Sequence, residues 1–258
     1  MEPILRFDQL TTGYSAGRRQ HLVGRNLSAQ LQSGVLTAIF GLNGSGKTTL
    51  LRTLAGLLAP LSGQLTYGNM PHTEITPKQL ARTIAVVLTE RPQTGYLRVR
   101  EIVEMGRMPY TSFSGRISEL DRHVVMESMR LTGIEKLSRR LLSSLSDGER
   151  QRVMIAKALA QQTPIILLDE PTAFLDFAAK NYLLDLLVRL AHEAHKTILL
   201  STHDVGHVVG CVDQCWLLSR DDLTTGTPAA LSADGTLARF LGEDAFQRLA
   251  GTTFQPTT

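Results

Sequence analysis

Apolar residues recur along this chain in two rhythms. From about residue 3 to 34 they alternate with polar ones, first in ILRFDQLTTGY and then in LSAQLQ. A period of two turns one face of a strand inward and the other to water, so this stretch predicts short half-buried strands in an antiparallel sheet. LSGQLTYG, further on, repeats the alternation. Residues 35–40 (VLTAIF) are different. They form a short continuous apolar run, as expected of a strand covered on both faces in a parallel sheet. Residues 84–88 (IAVVL), then IILLD, TILLS and CWLLS, belong to the same class.

Between these runs the period lengthens. KTTLLRTLAGL predicts a helix closing near Gly56, and PKQLARTI a short one with Pro77 in its first turn. The segment from about 95 to 145 holds no strong strand. VREIVEMGR is helical, and SELD at 118–121 is a capping-box-like start for HVVMESMRLTG, which closes at Gly133. Helices over about 147–161, in KNYLLDLLVRLAHEA and in VGHVV alternate with the remaining strands, LARFLGEDAFQRL predicts a C-terminal helix, and GTTFQPTT a frayed end. Strand and helix in alternation imply a parallel sheet with helices on both faces. The fold class is therefore α/β, a single domain over 1–258. Its core spans about 1–94 and 146–258 and includes an antiparallel β subdomain. A helical subdomain is inserted at about 95–145.

Composition changes this picture little. The chain is 43% hydrophobic and 20% charged, the make-up of an ordinary folded domain. A net charge of +3 and a pI of about 9.0, with no Lys/Arg run, leave no footprint for nucleic acid, and none is expected as a partner. Cys211 and Cys215 are too few for a disulfide framework and lack a second Cys/His pair for zinc, so they predict plain thiols in a reducing compartment. MEPILRFDQL has neither the basic start nor the apolar run of a signal peptide, and no stretch approaches the roughly 20 apolar residues that span a bilayer. Work at a membrane would require recruitment by another protein.

Three motifs carry chemistry. Gly41-Leu42-Asn43-Gly44-Ser45-Gly46-Lys47-Thr48 matches G-x4-G-K-S/T between a predicted strand and a predicted helix, the setting of a P-loop NTPase core of the RecA-like type. Glycines let the backbone approach phosphate oxygens, while successive N–H groups and the helix N-terminus offer partial positive charge. Lys47 is expected at the β- and γ-phosphates and the Thr48 hydroxyl on Mg²⁺, with Thr49 counted among the nucleotide-binding residues. IILL then delivers Asp169 and Glu170 to the end of a buried strand. Asp169 is placed to bind Mg²⁺, directly or through water, and Glu170 to polarise the water that attacks the γ-phosphate. ATP and Mg²⁺ are the cofactors implied. The third motif, Leu145-Ser146-Asp147-Gly148-Glu149-Arg150, opens a helix, where Ser146 and Gly148 offer a hydroxyl and backbone N–H groups as a second anion site.

This third motif resembles the LSGGQ signature of ABC ATPases, with Asp147 in place of a Gly and Glu149 in place of the Gln. A carboxylate at 147 close to a γ-phosphate would weaken attraction, so its side chain is expected to point away. Nearly the whole chain resembles an ABC transporter nucleotide-binding subunit. The resemblance implies that Tyr14 (in TTGYSAG) stacks on adenine, that Asp176 (in PTAFLD) contacts a partner's site, and that His203 (in STHD) hydrogen-bonds the γ-phosphate. Lys47, Glu170 and His203 are the catalytic set. The family carries a metal- and water-touching glutamine after the strand IAVVL. Here the sequence runs Leu88-Thr89-Glu90-Arg91-Pro92. An ungapped count puts Thr89 at the glutamine's place, leaves Glu90 able to supply a carboxylate oxygen to the metal, and sets Gln93 further along.

The resemblance also implies partners. Two copies would pair head to tail, with each ATP between Lys47 of one and Ser146 of the other. The helical subdomain would move integral-membrane permease subunits at the cytoplasmic face of the inner membrane, with a substrate-binding protein acting indirectly. VREIVEMGRMPYTSFSGRISELDR and GERQRVMIAKALAQ narrow the resemblance to importers of iron–siderophore, haem or cobalamin. Two other readings stay open. One is a soluble ABC ATPase acting on DNA or ribosomes, against which stand the single cassette and the lack of heptads. The other is a regulatory module that dimerises on ATP but barely hydrolyses it. Thr89 and Asp147 speak for the module, and Asp169, Glu170 and His203 against it.

Overall fold

The computed structural model describes residues 3–17, 19–89, 96–111, 116–219, 221–244 and 246–247. Two strands, β1 (Leu5–Ala16) and β2 (Arg19–Leu31), open the chain and pair antiparallel. They are longer than the short strands expected, because bulges absorb the slips in alternation. The register shifts between Phe7 and Leu10, Leu10 and Thr12, and Thr12 and Gly13, and Gln9 takes a positive φ of 47° within that stretch. β3 (Leu36–Phe40) leads through the glycine-rich loop to α1 (Lys47–Leu54). β4 (Ser62–Tyr67) and β5 (Met70–Pro71) complete a four-stranded sheet in the order β2-β1-β4-β5.

The second sheet is the parallel one. α2 (Pro77–Thr83), with Pro77 in its first turn as expected, leads directly into β6 (Ile84–Val87). The lobe follows, with α3 (Val99–Glu104), α4 (Glu119–Leu131) and then α5 (Asp147–Ala160), which rejoins the core. β7 (Ile165–Asp169), α6 (Phe177–His192), β8 (Thr197–Thr202), α7 (Val205–Val208) and β9 (Gln214–Leu218) alternate as predicted. β10 (Leu223–Gly226), α8 (Pro228–Ala233) and α9 (Thr236–Leu241) close the described fold. The strand order is β10-β9-β3-β8-β7-β6, parallel except for β10, which turns back along β9. The sequence reading missed β10, since LTTG carries no apolar run.

Continuous apolar runs are explained by a sheet covered on both sides. Leu36, Ala38 and Phe40 of β3 pack with Ile166 and Leu168 of β7 against α5 and α6. The alternate residues Ile39, Ile165, Leu167 and Leu199 face α1 and the antiparallel sheet. Helices lie on both faces as expected, with the antiparallel sheet covering one of them beside α1. Phe7 of β1 and Trp216 of β9 join the two sheets edge to face, their centroids 5.5 Å apart.

The lobe has its own apolar cluster, with Val99, Ile102, Val125 and Met129 packed on Val153 and Ala156 of α5. α4 opens on the expected capping box: Asp121 N donates to Ser118 Oγ (3.1 Å) and Ser118 N to Asp121 Oδ2 (3.0 Å). The Ser118 hydroxyl above all, against the opposing effect of burial, and then Arg107, hold the Asp121 carboxyl below the usual range. The buried Arg107 donates to Asp121 Oδ1 (2.8 Å), Ala160 O (2.7 Å) and Gln162 Oε1 (2.8 Å), tying the lobe to the end of α5. Removing one partner of such a pair leaves a buried charge uncompensated. Arg107→Ala should therefore destabilise the fold by about 3–5 kcal/mol in urea unfolding. A loss below about 1 kcal/mol would show that apolar packing alone holds the lobe.

Candidate functional site

The loop after β3 is shaped by close approach. A Cβ at Gly41 would collide with Ser45 Oγ and lie 2.8 Å from Leu218 O. Gly44 and Gly46 hold φ values of 80° and 100°, which suit glycine. Leu42 and Asn43 are exposed on the rim. α1 starts at Lys47 with no side-chain cap and no acidic residue in its first turn, so its dipole is left to an anion. Ser45 Oγ is buried without a hydrogen-bond partner, an orphan that a phosphate oxygen would satisfy. Lys47, only 6% exposed, donates through Nζ to Gly41 O (2.8 Å) and Leu42 O (3.3 Å) and lies 3.5 Å from Glu170 Oε1.

Asp169 ends β7 at 4% exposure. Thr48 Oγ1 donates to its carboxylate, 3.0 Å from each oxygen, and Ser201 Oγ donates to Oδ1 (2.7 Å). Thr89 Oγ1 adds contacts to Oδ2 (3.1 Å) and to the backbone O (3.0 Å). Glu170 follows with a positive φ of 48°, and its N–H donates to Ser201 O (3.2 Å) and Oγ (3.0 Å). Such a conformation costs about 1–3 kcal/mol and persists where neighbours over-determine it. The turn brings Glu170 Oε2 to 2.9 Å from His203 Nδ1, just past the end of β8. The structure thus brings Lys47, Thr48, Asp169, Glu170 and His203 together beyond the C-terminal ends of the neighbouring strands β3, β8 and β7. Glu90 and Gln93 lie outside the described residues.

Tyr14 on β1 is 42% exposed, its hydroxyl 3.3 Å from Thr49 Oγ1. Thr49 is buried and turned to the tyrosine, holding it beside the loop. Ser146 caps α5 in a capping box with Glu149: Glu149 N donates to Ser146 Oγ (3.2 Å) and Ser146 N to Glu149 Oε2 (2.9 Å). Asp147 accepts from Arg150 Nη1 (3.0 Å), which draws its carboxylate along the helix. Ser146 and Gly148 line one cavity with Tyr182, and Asp169 and Glu170 line another. Asp176 caps α6 by accepting from Ala179 N (2.8 Å).

Sequence reasoning missed Ser201, whose signal was a hydroxyl directly after the apolar ILL run of the TILLST strand. It also missed the cluster beside His203, where Asp204 accepts from Lys180 Nζ (2.7 Å) and pairs with His207 Nδ1 (3.0 Å). Burial would raise the Asp204 carboxyl, but the hydrogen bonds from Lys180 and His207 outweigh it and hold the group below the usual range.

The ABC transporter family profile matches residues 24–173. The chain belongs to the ABC transporter family. This ABC protein binds ATP and hydrolyses it, coupling the reaction to transport. The ferric enterobactin transport ATP-binding protein FepC of Escherichia coli (strain K12) is 38% identical over 201 residues, 78% of this chain and 73% of that protein. The solved cbiO1 of Clostridium perfringens, part of the ABC transporter complex cbiONQ, is 27% identical at a TM-score of 0.79, over 96% of this chain and 98% of that one. A dimeric ATP-binding cassette in a post-hydrolysis state, bound to ADP and phosphate, is 25% identical at a TM-score of 0.75, over 87% and 98%.

Lys47→Ala removes a charged contact to phosphate. ATP binding to this ABC ATPase should weaken by about tenfold to a hundredfold, read by titration with a fluorescent nucleotide. Unchanged binding would take Lys47 out of the phosphate contact.

Proposed function

We propose that this chain is one of two identical ATPase subunits that drive import of an iron–siderophore, haem or cobalamin-type cargo. The observation that carries the reading is the continuous contact from Lys47 through Glu170 to His203, laid beside Thr48 and Asp169. Lys47 and the start of α1 position the phosphates. Glu170 takes a proton from the water that attacks the γ-phosphorus, the bond to the bridging oxygen breaks, and ADP departs. His203, tied to Glu170, stands ready to hydrogen-bond the γ-phosphate. Tyr14 offers its exposed ring to adenine.

Thr48 and Asp169, with the Thr89 and Ser201 hydroxyls beside them, form a hard-oxygen set that suits Mg²⁺. When bound, the ion neutralises charge on the β- and γ-phosphate oxygens. Among the described residues no group of three or more His, Cys, Asp or Glu could hold a metal, consistent with an ion held largely by ATP itself.

Ser146 and Gly148 line a cavity that includes none of Lys47, Thr48, Asp169 or Glu170, which supports their presentation to a second copy, with Asp176 following Leu175 of that lining. The dimeric cassette with ADP and phosphate supports the same pairing. Among the described residues no helix is long and apolar enough to cross a membrane. The cbiONQ relative supports attachment to membrane permease subunits, and so a peripheral place at the cytoplasmic face. FepC supports the siderophore class of cargo and, with it, an indirect role for a substrate-binding protein. No nucleic-acid partner enters this reading.

Glu170→Gln should retain ATP but hydrolyse it about a hundredfold more slowly or worse. Its mass by light scattering should double with Mg-ATP and stay monomeric when Ser146→Arg is added. Near-normal turnover would remove Glu170 as the base, and a constant mass would remove the ATP-driven pairing of the isolated chain.

A further inference from the structure

The Asp204 carboxylate does not cap the helix it begins. It stands at the N-cap of α7, where an aspartate ordinarily accepts from a backbone N–H of its own first turn. No such bond forms. Oδ2 instead accepts from Lys180 Nζ on α6 (2.7 Å), and Oδ1 pairs with His207 Nδ1 (3.0 Å). Lys180 and Asp204 are each 24% exposed, so their attraction is screened less than that of a pair in open water. A second contact runs beside the first: the rings of Phe177 on α6 and His207 on α7 meet edge to face, their centroids 5.4 Å apart. Each of the two elements so joined carries a residue of the ATPase reading. Lys180 N donates to Asp176 O (2.9 Å), which sets Lys180 one turn into α6 from the Asp176 cap. Asp204 follows His203 directly, and its N–H donates to Oγ1 of Thr202 (3.0 Å), the buried last residue of β8. The His203 side chain is 58% exposed and reaches Glu170 with its ring. A side chain so open to water takes its aim from its backbone, and that backbone is fixed by Thr202 on one side and Asp204 on the other.

We propose that Lys180 and Asp204 are positioning residues for ATP hydrolysis: their ion pair fixes the backbone of His203 against the first turn of α6, and so sets His203 relative to Asp176. The proposal rests on the reading of His203 as the γ-phosphate contact. Neither residue of the pair exchanges a proton or meets the nucleotide, and both act through His203. Phosphate binding belongs to the loop after β3 and to Lys47, on another part of the chain. Loss of the pair therefore falls on the rate and spares the affinity for ATP. A displacement of about 1 Å in a reacting group, caused from outside the site, can cost up to about a hundredfold in rate.

The test compares the full chain with Lys180→Met, which keeps the length and loses the charge, and with Lys180→Arg, which keeps the charge. Lys180→Met should lower kcat by about tenfold to a hundredfold. KM for ATP and the affinity for a fluorescent ATP analogue should stay within about twofold. Lys180→Arg should hold kcat within about threefold of wild type. Added to His203→Ala, Lys180→Met should change single-turnover hydrolysis by less than about twofold, because residues that act through one another are not additive. A wild-type kcat in Lys180→Met overturns the proposal. So does loss of analogue binding in step with kcat, which would assign the effect to folding. Equal loss in Lys180→Arg overturns it by removing the ion pair as the cause. A full further loss in the His203→Ala background overturns it by showing a path that bypasses His203. His203→Ala at the wild-type rate overturns the reading of His203 itself, a result distinct from the other four.

Discussion

The carboxylate of Asp169 is the point from which the site is built. An apolar strand carries it to the C-terminal end of the parallel sheet, where almost none of it meets water. A charge withdrawn from water is costly unless hydrogen bonds replace its hydration. Here the replacement comes from hydroxyls on three separate pieces of chain: Thr48 at the start of α1, Ser201 in β8, and Thr89 just after β6. Each donor fixes its own segment against β7. The start of α1, the strand that leads to His203 and Thr89 are thereby held to one carboxylate. Ser201 serves twice, since it also accepts from the Glu170 N–H and so stabilises the left-handed turn that aims Glu170 at Lys47 and His203.

The same rule joins the lobe to the core. Arg107 is as deeply buried as Asp169, and its guanidinium is satisfied by one carboxylate of the lobe and two acceptors at the end of α5. α5 itself begins at Ser146. A single rigid helix therefore connects the lobe's anchor at one end to the proposed shared anion site at the other. The lobe is joined to β7 through this helix and through the chain after β6, where Thr89 lies, and Arg82 of α2 adds a further tie by donating to Pro109 O. The first two ties begin at residues that touch or line the cavity beside Glu170.

Much of this was legible in the residues. The parallel strands announced themselves as continuous apolar runs, because a sheet covered on both faces needs no polar positions. The P-loop and the Asp169–Glu170 pair were legible because phosphate chemistry demands particular residues at fixed local spacing. What local spacing cannot convey is contact across the chain. Thr89 and Asp169 are 80 residues apart, and nothing near either one announces the bond between them. Ser201 was hidden for the same reason. Thr49 was grouped with the phosphate loop by position, yet its buried side chain turns to Tyr14. β10 was missed because an edge strand formed by a short reversal needs little apolar character, and the bulged β1 and β2 appeared shorter than they are because each bulge breaks the alternation.

The two departures in the signature follow from the demands of starting a helix. Glu149 sits three residues past the cap, where a carboxylate can accept from the Ser146 N–H, and it does so. Asp147 stands in the first turn, where negative charge is favoured by the helix dipole. Gly148 sits close to α6, where an added Cβ would lie 3.2 Å from the Ala179 Cβ. The consequence for an anion is unfavourable on its own, because two carboxylates in the first turn oppose the positive end of the dipole that would attract a phosphate. Arg150 binds Asp147 from one turn further on, and Arg140 lies 3.8 Å from Glu149. Each carboxylate has a guanidinium beside it, so the first turn approaches neutrality while the Gly148 backbone and the Ser146 hydroxyl keep their places. The proposed shared site would then be defined by hydroxyl and backbone groups, with its charge set by Arg140 and Arg150.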